Sequence, residues 1–251
     1  MTVVPMSRRL LAEFVGTALL VTVVVGSGIA AARLSPTDVG LQLLENSTAT
    51  AFGLSVLILL FGPVSGAHFN PVVTAADWLL GRRAGIGISA HHALAYTVAQ
   101  VAGDSTGAVL ANVMFDLRVF EIATKDRMSS GHLVGEVVAT AGLIALIFAL
   151  ARSGRAALSA AAVGAYIGAA YWFTSSTAFA NPAVTVGRMF SDTFAGIGPG
   201  SAPGFIAAQI VGALLGLALI AALYPDAART ADDAVIPHHR PTRADTEQRS
   251  P

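Results

Sequence analysis

Cysteine is absent from the 251 residues, which excludes disulfides, thiolate nucleophiles and thiolate metal sites together. Charge is nearly as scarce. Asp, Glu, Lys and Arg make up 12% of the chain against an apolar share of 54%, whereas soluble domains carry about 25% charged residues. So thin a polar covering cannot coat a globule, and lipid is the solvent indicated for most of the chain; mean hydropathy is +0.67. Fifteen basic residues balance fifteen acidic ones, which leaves no net field to attract nucleic acid. No cleavable leader is evident: Arg8 and Arg9 precede an apolar run too long for a signal-peptide core, and it reads as a first membrane span. Histidines at 68, 91, 92 and 132 make no metal-ligand spacing, and the adjacent His238 and His239 read as solvated residues. With no nucleophile–base pair visible either, enzyme and metalloprotein readings lack support, and neither a cofactor nor a metal is expected.

A bilayer core about 30 Å thick needs roughly 20 apolar helical residues. Six stretches meet that: residues 10–32, 49–64, 88–113, 132–151, 157–177 and 203–223, the second of them short enough to need its flanks. Two further segments, 70–80 and 181–190, are apolar but too short to cross, and each opens with Asn-Pro. Both read as re-entrant half-helices. Arginines at 8, 9, 82, 83, 152 and 155 fall on one side of a six-span layout, which makes that side cytoplasmic and puts both termini there. The residues after Pro225 are polar and read as a disordered cytoplasmic tail, 225–251, behind a channel-sized domain of 1–224.

The chain says nearly the same thing twice. Ala12-Glu13-Phe14-Val15-Gly16-Thr17, Asn70-Pro71-Val72-Val73-Thr74 and Ala99-Gln100-Val101-Ala102-Gly103 are answered by Gly135-Glu136-Val137-Val138-Ala139-Thr140, Asn181-Pro182-Ala183-Val184-Thr185 and Ala208-Gln209-Ile210-Val211-Gly212, in the same order. Repeats of about 8–114 and 131–224 hold three spans each, an odd number, so they insert with opposite orientation and place the functional site at their interface near the midplane. Proline suits a first helical turn and asparagine caps it. Two such starts entering from opposite faces would meet with their positive dipole ends together, which disfavours cations. The amides of Asn70 and Asn181 are then expected to donate to a passing oxygen. Glu13 and Glu136 lie inside spans, where an ionisable group is a functional hypothesis by default. Their symmetric placement suits accepting bonds from loop N–H groups, with Gln100 and Gln209 as similar braces; a proton relay is the sharper alternative. Asp104 has no counterpart and no evident role. Gly16, Gly103, Gly135, Gly168, Gly212 and Gly216 read as close-packing points between helices.

Ser65-Gly66-Ala67-His68-Phe69-Asn70-Pro71 with the second Asn-Pro-Ala and the paired Glu and Gln resembles the major intrinsic proteins, the aquaporins and aquaglyceroporins. The resemblance covers about residues 8–224. It implies an all-α membrane protein of six helices plus two half-helices, one pore per subunit, usually a homotetramer in the cell's inner (plasma) membrane, with His68 among the loop-supporting residues. Two departures stand out. The first motif has Val72 for alanine, and the residue after the second Asn-Pro-Ala is Val184, where most members carry a filter arginine. Counting back from Asn181 as the family does puts the other filter positions at Ala169 and Ala178. From Asn70 a gapless count gives Thr50, while a two-residue gap suggested by Phe52-Gly53 would give Phe52; Thr50 is preferred. Arg188, one turn beyond Val184, is expected to cap the half-helix or meet headgroups, with compensation for the missing charge as the alternative. A filter of Thr50, Ala169, Ala178 and Val184 is wide, mostly apolar and uncharged, and resembles a bacterial branch associated with trivalent arsenic. The expected solutes are therefore arsenous acid and glycerol-like polyols with some water; the competing readings are a water-selective channel and a proton-coupled transporter.

Overall fold

The structure is a computed structural model that describes residues 4–82 and 87–224; Arg83, the tail and its two histidines lie outside the described residues. Helices run α1 (Met6–Leu34), α2 (Val39–Ser65), α3 (Pro71–Gly81), α4 (Ala90–Met114), α5 (Ser130–Arg152), α6 (Ser159–Phe173), α7 (Pro182–Gly187) and α8 (Ala202–Leu223), with short 3-10 turns at 156–158 and 188–190 and no strand among the described residues. Five of them, α1, α2, α5, α8 and α6 with its preceding turn, are long and apolar enough to cross a membrane. The sixth expected span, α4, has 25 residues, about 37 Å of helix, but its apolar run is broken by Gln100, Asp104 and Asn112, all buried inside the protein.

The second span starts ten residues before the expected place, at Val39, with Asp38 Oδ1 capping Leu41 N. Hydropathy hid this first part because its polar residues face protein. Gln42 donates to Ser35 O, and Asn46 donates to Val24 O and Ser27 Oγ on α1. The fifth span ends at Phe173 rather than 177, because Thr174–Ala180 is the descending loop that feeds α7.

The repeat is visible in the packing: α1 lies along α4 and α2 as α5 lies along α8 and α6. Small residues set the approach. A Cβ on Gly107 would collide with the carbonyl oxygen of Ala18, and the equivalent atom on Gly216 would meet Ala141 O at 2.6 Å. Gly103 and Gly212 make matching approaches to Phe14 O and Val137 O one turn earlier. Apolar side chains point outward as well as inward: Leu59, Leu60, Val98, Leu214 and Leu215 are all more than half exposed. That surface suits lipid or neighbouring subunits and not water.

Close backbone approach makes a specific prediction. Gly107→Val should lower the thermal midpoint of the detergent-solubilised protein, the overpacking costing about 1–3 kcal/mol, or abolish assembly. Gly200→Ala, where an added Cβ meets no atom within 4 Å, should leave the midpoint unchanged in the same size-exclusion melt.

Candidate functional site

Asn70 and Asn181 face each other. Each caps its own half-helix: Asn70 Oδ1 accepts from Val72 N at 3.0 Å, and Asn181 Oδ1 accepts from Ala183 N at 2.9 Å. Each also crosses to the other repeat. Asn70 Nδ2 donates to Ala180 O at 2.8 Å, and Asn181 Nδ2 donates to Phe69 O at 2.7 Å. An amide has two N–H bonds, so this reciprocal pair spends one from each asparagine on joining the repeats and leaves one for a solute. Pro71 and Pro182 open α3 and α7, followed by Val72 and Ala183, both buried.

The segments leading into the caps are not helical. Gly66, Ala67 and Phe69 in one, and Thr177, Ala178 and Ala180 in the other, have positive φ between 46° and 89°. Five of these six are not glycine, and such backbone is strained. What holds it is a pair of buried carboxylates. Glu13 Oε1 accepts from His68 N and Ser65 Oγ, at 3.0 and 2.6 Å, while Oε2 accepts from Phe69 N at 2.8 Å and Gln100 Nε2 at 2.7 Å. Glu136 accepts from Phe179 N and Ala180 N, both at 2.9 Å, and from Gln209 Nε2 at 2.6 Å. Gln100 and Gln209 then reach Thr74 and Thr185, one turn into α3 and α7. The same chemistry appears in both halves at equivalent positions. Ser65 and Ser176, which the repeat comparison did not pick out, accept matching bonds at their hydroxyl oxygens from Ala67 N and Ala178 N.

Between the halves lies a cavity lined by residues of both repeats. Its polar lining comes from Thr50, His68, Asn70, Tyr171, Asn181 and Arg188; the rest is apolar, with no acidic side chain. Ala67, Ala178 and Phe179 are on the lining, and their carbonyls accept no hydrogen bond from the described residues. The wall is therefore a strip of acceptors and amide donors against an apolar face.

Several expected positions fall on this wall and one does not. Thr50, Ala178 and Val184 line it; Phe52 is 70% exposed on the outside of α2. Ala169 is a correction: it lies on the exposed face of α6 and not on the cavity. The cavity face of α6 is Val163, Ile167 and Tyr171, spaced by four. A residue two places from Ile167 lies about 200° around the helix. Tyr171 takes the place beside Thr50, its hydroxyl 3.2 Å from Thr50 Oγ1. The four-residue spacing was available in the sequence; the count from Asn181 overrode it.

Arg188 takes the C-cap position of α7, its backbone N–H bonding to Val184 O and Val186 O, but its side chain does not reach the headgroups: it is 2% exposed and lines the cavity. Its Nε donates to Ala195 O, and its guanidinium carbon stands 3.4 Å from the Phe179 ring centroid. The expectation of an uncharged wall fails here. Behind it, Arg127 donates to Gly196 O and Phe194 O and lies 5.1 Å from the same Phe179 ring. Lys125, in the segment between α4 and α5, is pushed down to about 8 by burial and by the charges of Arg127 and Arg188.

Asp104, on α4, is fully buried with neither carboxylate oxygen hydrogen-bonded, and its main chain backs against Gly187. Among the described residues no group of His, Asp and Glu could hold a metal ion.

The carboxylate clamps lead to a test. In Glu13→Gln or Glu136→Gln, one acceptor oxygen becomes an NH2 facing existing donors, and each buried donor left unpaired costs about 1–3 kcal/mol. Both variants should melt earlier to a similar extent, without altering the pH dependence of solute flux in vesicles. A flux that loses its pH dependence in either variant would instead assign the carboxylate to proton transfer.

Comparison with known proteins agrees with this geometry. The family model for Major intrinsic protein matches residues 1–176. The chain is 47% identical, over 86% of its length and 89% of the relative's, to aquaglyceroporin AqpS of Rhizobium meliloti (strain 1021). It is 34% identical to the glycerol uptake facilitator protein of Pseudomonas aeruginosa, over 88% of this chain and 92% of that one. The solved structure of the aquaglyceroporin from Plasmodium falciparum shares the fold, with a TM-score of 0.64 at 17% identity over 86% of this chain and 96% of that one. A chain folded as two inverted halves around a midplane asparagine pair, with these relatives, belongs to the major intrinsic protein family.

Proposed function

We propose that this channel passes small uncharged solutes bearing several hydroxyls, arsenous acid and glycerol-like polyols foremost, together with some water. The observation that carries the reading is the two-sided cavity wall: a strip of donors and acceptors facing an apolar surface, with no acidic side chain on it. A neutral molecule that both donates and accepts exchanges partners along such a strip. A bare ion cannot recover its hydration there. The names of two relatives that span most of the chain speak of aquaglyceroporin and glycerol uptake, and at Val184 and Ala178 the wall carries small apolar side chains.

Thr50, Ala178 and Val184 are the selecting positions in this reading, and Glu13, Glu136, Gln100 and Gln209 are supports. A proton-coupled transporter is less consistent with the contacts, because neither Glu13, Glu136 nor Asp104 lines the cavity. A water-selective channel draws some support from Tyr171 and Arg188, an aromatic and a cation on the same wall. The arginine distribution supports termini and a 153–155 turn on the cytoplasmic side of the inner membrane, and the outward leucines suit packing into a homotetramer.

Stopped-flow swelling of reconstituted vesicles in water, glycerol and arsenous acid separates these readings. Swelling driven by glycerol and arsenous acid is expected; swelling with water alone would favour the orthodox water channel. Thr50→Trp should reduce glycerol and arsenous acid flux at least about tenfold by filling the passage. Phe52→Ala, on the outer face, should change neither. Val184→Arg should suppress the larger solutes while some water flux remains.

A further inference from the structure

The sequence loses a charge at Val184, and the structure holds one a turn away. Val184 on α7 and Arg188 at its C-cap are four residues apart, and both line the cavity. Arg188 is 2% exposed, yet no carboxylate among the described residues pairs with it. Its side-chain contacts are the single bond from Nε to Ala195 O and the face of Phe179. The remaining guanidinium N–H groups have no acceptor among the described residues. A buried cation without a counter-ion is expensive, and such groups inside membrane proteins mark pathways.

An anchor for the 191–198 loop is the simpler role, and the bond to Ala195 O supplies one. The repeat itself shows why that is insufficient. The equivalent position in the first half, seven residues after Asn70, is Asp77, which accepts from Ile88 N and anchors the chain beyond α3. Asp77 does not line the cavity; Arg188 does. Phe179 explains the aim. Its backbone N–H is fixed by Glu136, its ring packs edge-on against Phe205, and Arg127 stands over the same ring from the loop side. The guanidinium of Arg188 is thus seated on a rigid platform two residues before Asn181.

Resting on the channel reading above, we propose that Arg188 is the selectivity cation of this pore, displaced one helical turn from the position after Asn-Pro-Ala and carried by Phe179. Its charge excludes cations, and its free N–H groups donate to solute oxygens opposite the Thr50–Tyr171 hydroxyl pair. The turn vacated at Val184 gives a solute an apolar stretch of wall about 5.4 Å long just before the charge. The class that fits is a compact neutral molecule with hydroxyls at one side and a less polar side facing Val184.

The test compares Arg188→Gln, Arg188→Lys and the unaltered chain in vesicles, reading glycerol swelling and choline or sodium entry in parallel. The unaltered chain and Arg188→Lys should exclude cations, while Arg188→Gln should admit them at least about tenfold faster. Cation exclusion kept in Arg188→Gln, or lost equally in Arg188→Lys, would overturn the assignment. Absence of glycerol swelling in the unaltered chain would instead overturn the channel reading. Because the natural chain has no cysteine, Val184→Cys gives an independent readout that needs no change at Arg188. A sulfonate-bearing thiol reagent should label it about tenfold faster than an ammonium-bearing one. Equal rates, faster labelling by the cationic reagent, or no labelling by either would contradict a cationic, solute-accessible site there.

Discussion

Everything in this fold depends on backbone leaving the helix at membrane depth. Peptide groups in hydrocarbon have no water to bond, and each unsatisfied one costs several kcal/mol. The two descending loops break that rule twice, and break it again with left-handed residues other than glycine. They persist because a buried glutamate in each half takes the N–H groups just before the asparagine. With the donors absorbed behind the loop, the carbonyls of Ala67, Ala178 and Phe179 on the cavity lining are left without a protein donor. The polar strip of the pore is therefore a product of the same contacts that hold the loops.

This division of labour also separates structure from selection. The Asn70–Ala180 and Asn181–Phe69 bonds lock the two half-helix starts against each other, so the midplane is set by covalent geometry and two amides. Away from the midplane the equivalence of the halves ends. On α2 the wall carries Thr50, on α6 Tyr171, and after α7 a cation where α3 carries, at the equivalent position, an aspartate that points elsewhere. A symmetric frame with asymmetric walls lets the choice of solute vary without disturbing the fold.

Much of this was legible in the sequence for physical reasons. Asn-Pro marks a helix start by capping and by a fixed φ, and the doubled order of Glu, Asn-Pro and Gln gives the inverted repeat directly. What could not be read followed from one blind spot: hydropathy and motif counting do not say which way a side chain points. The start of α2 was missed because Gln42 and Asn46 are polar but face α1. Ala169 was chosen by distance along the chain, although helical spacing puts it on the far face from Ile167 and Tyr171. Arg188 looked like a surface cation because arginines usually are; only the closeness of Phe179 and the 191–198 loop buries it. The paired serines at 65 and 176 stand five residues before each asparagine and were within reach of a closer alignment of the halves.

The central claim is a continuous passage that a neutral solute crosses without the protein changing state. Exchange of labelled glycerol across reconstituted vesicles, measured at equal concentrations on both sides with the pH gradient collapsed by an ionophore, tests it most directly. The account predicts exchange that rises linearly with concentration and is indifferent to the ionophore. Exchange that saturates and stops when the gradient is removed would mean a carrier, and would contradict it.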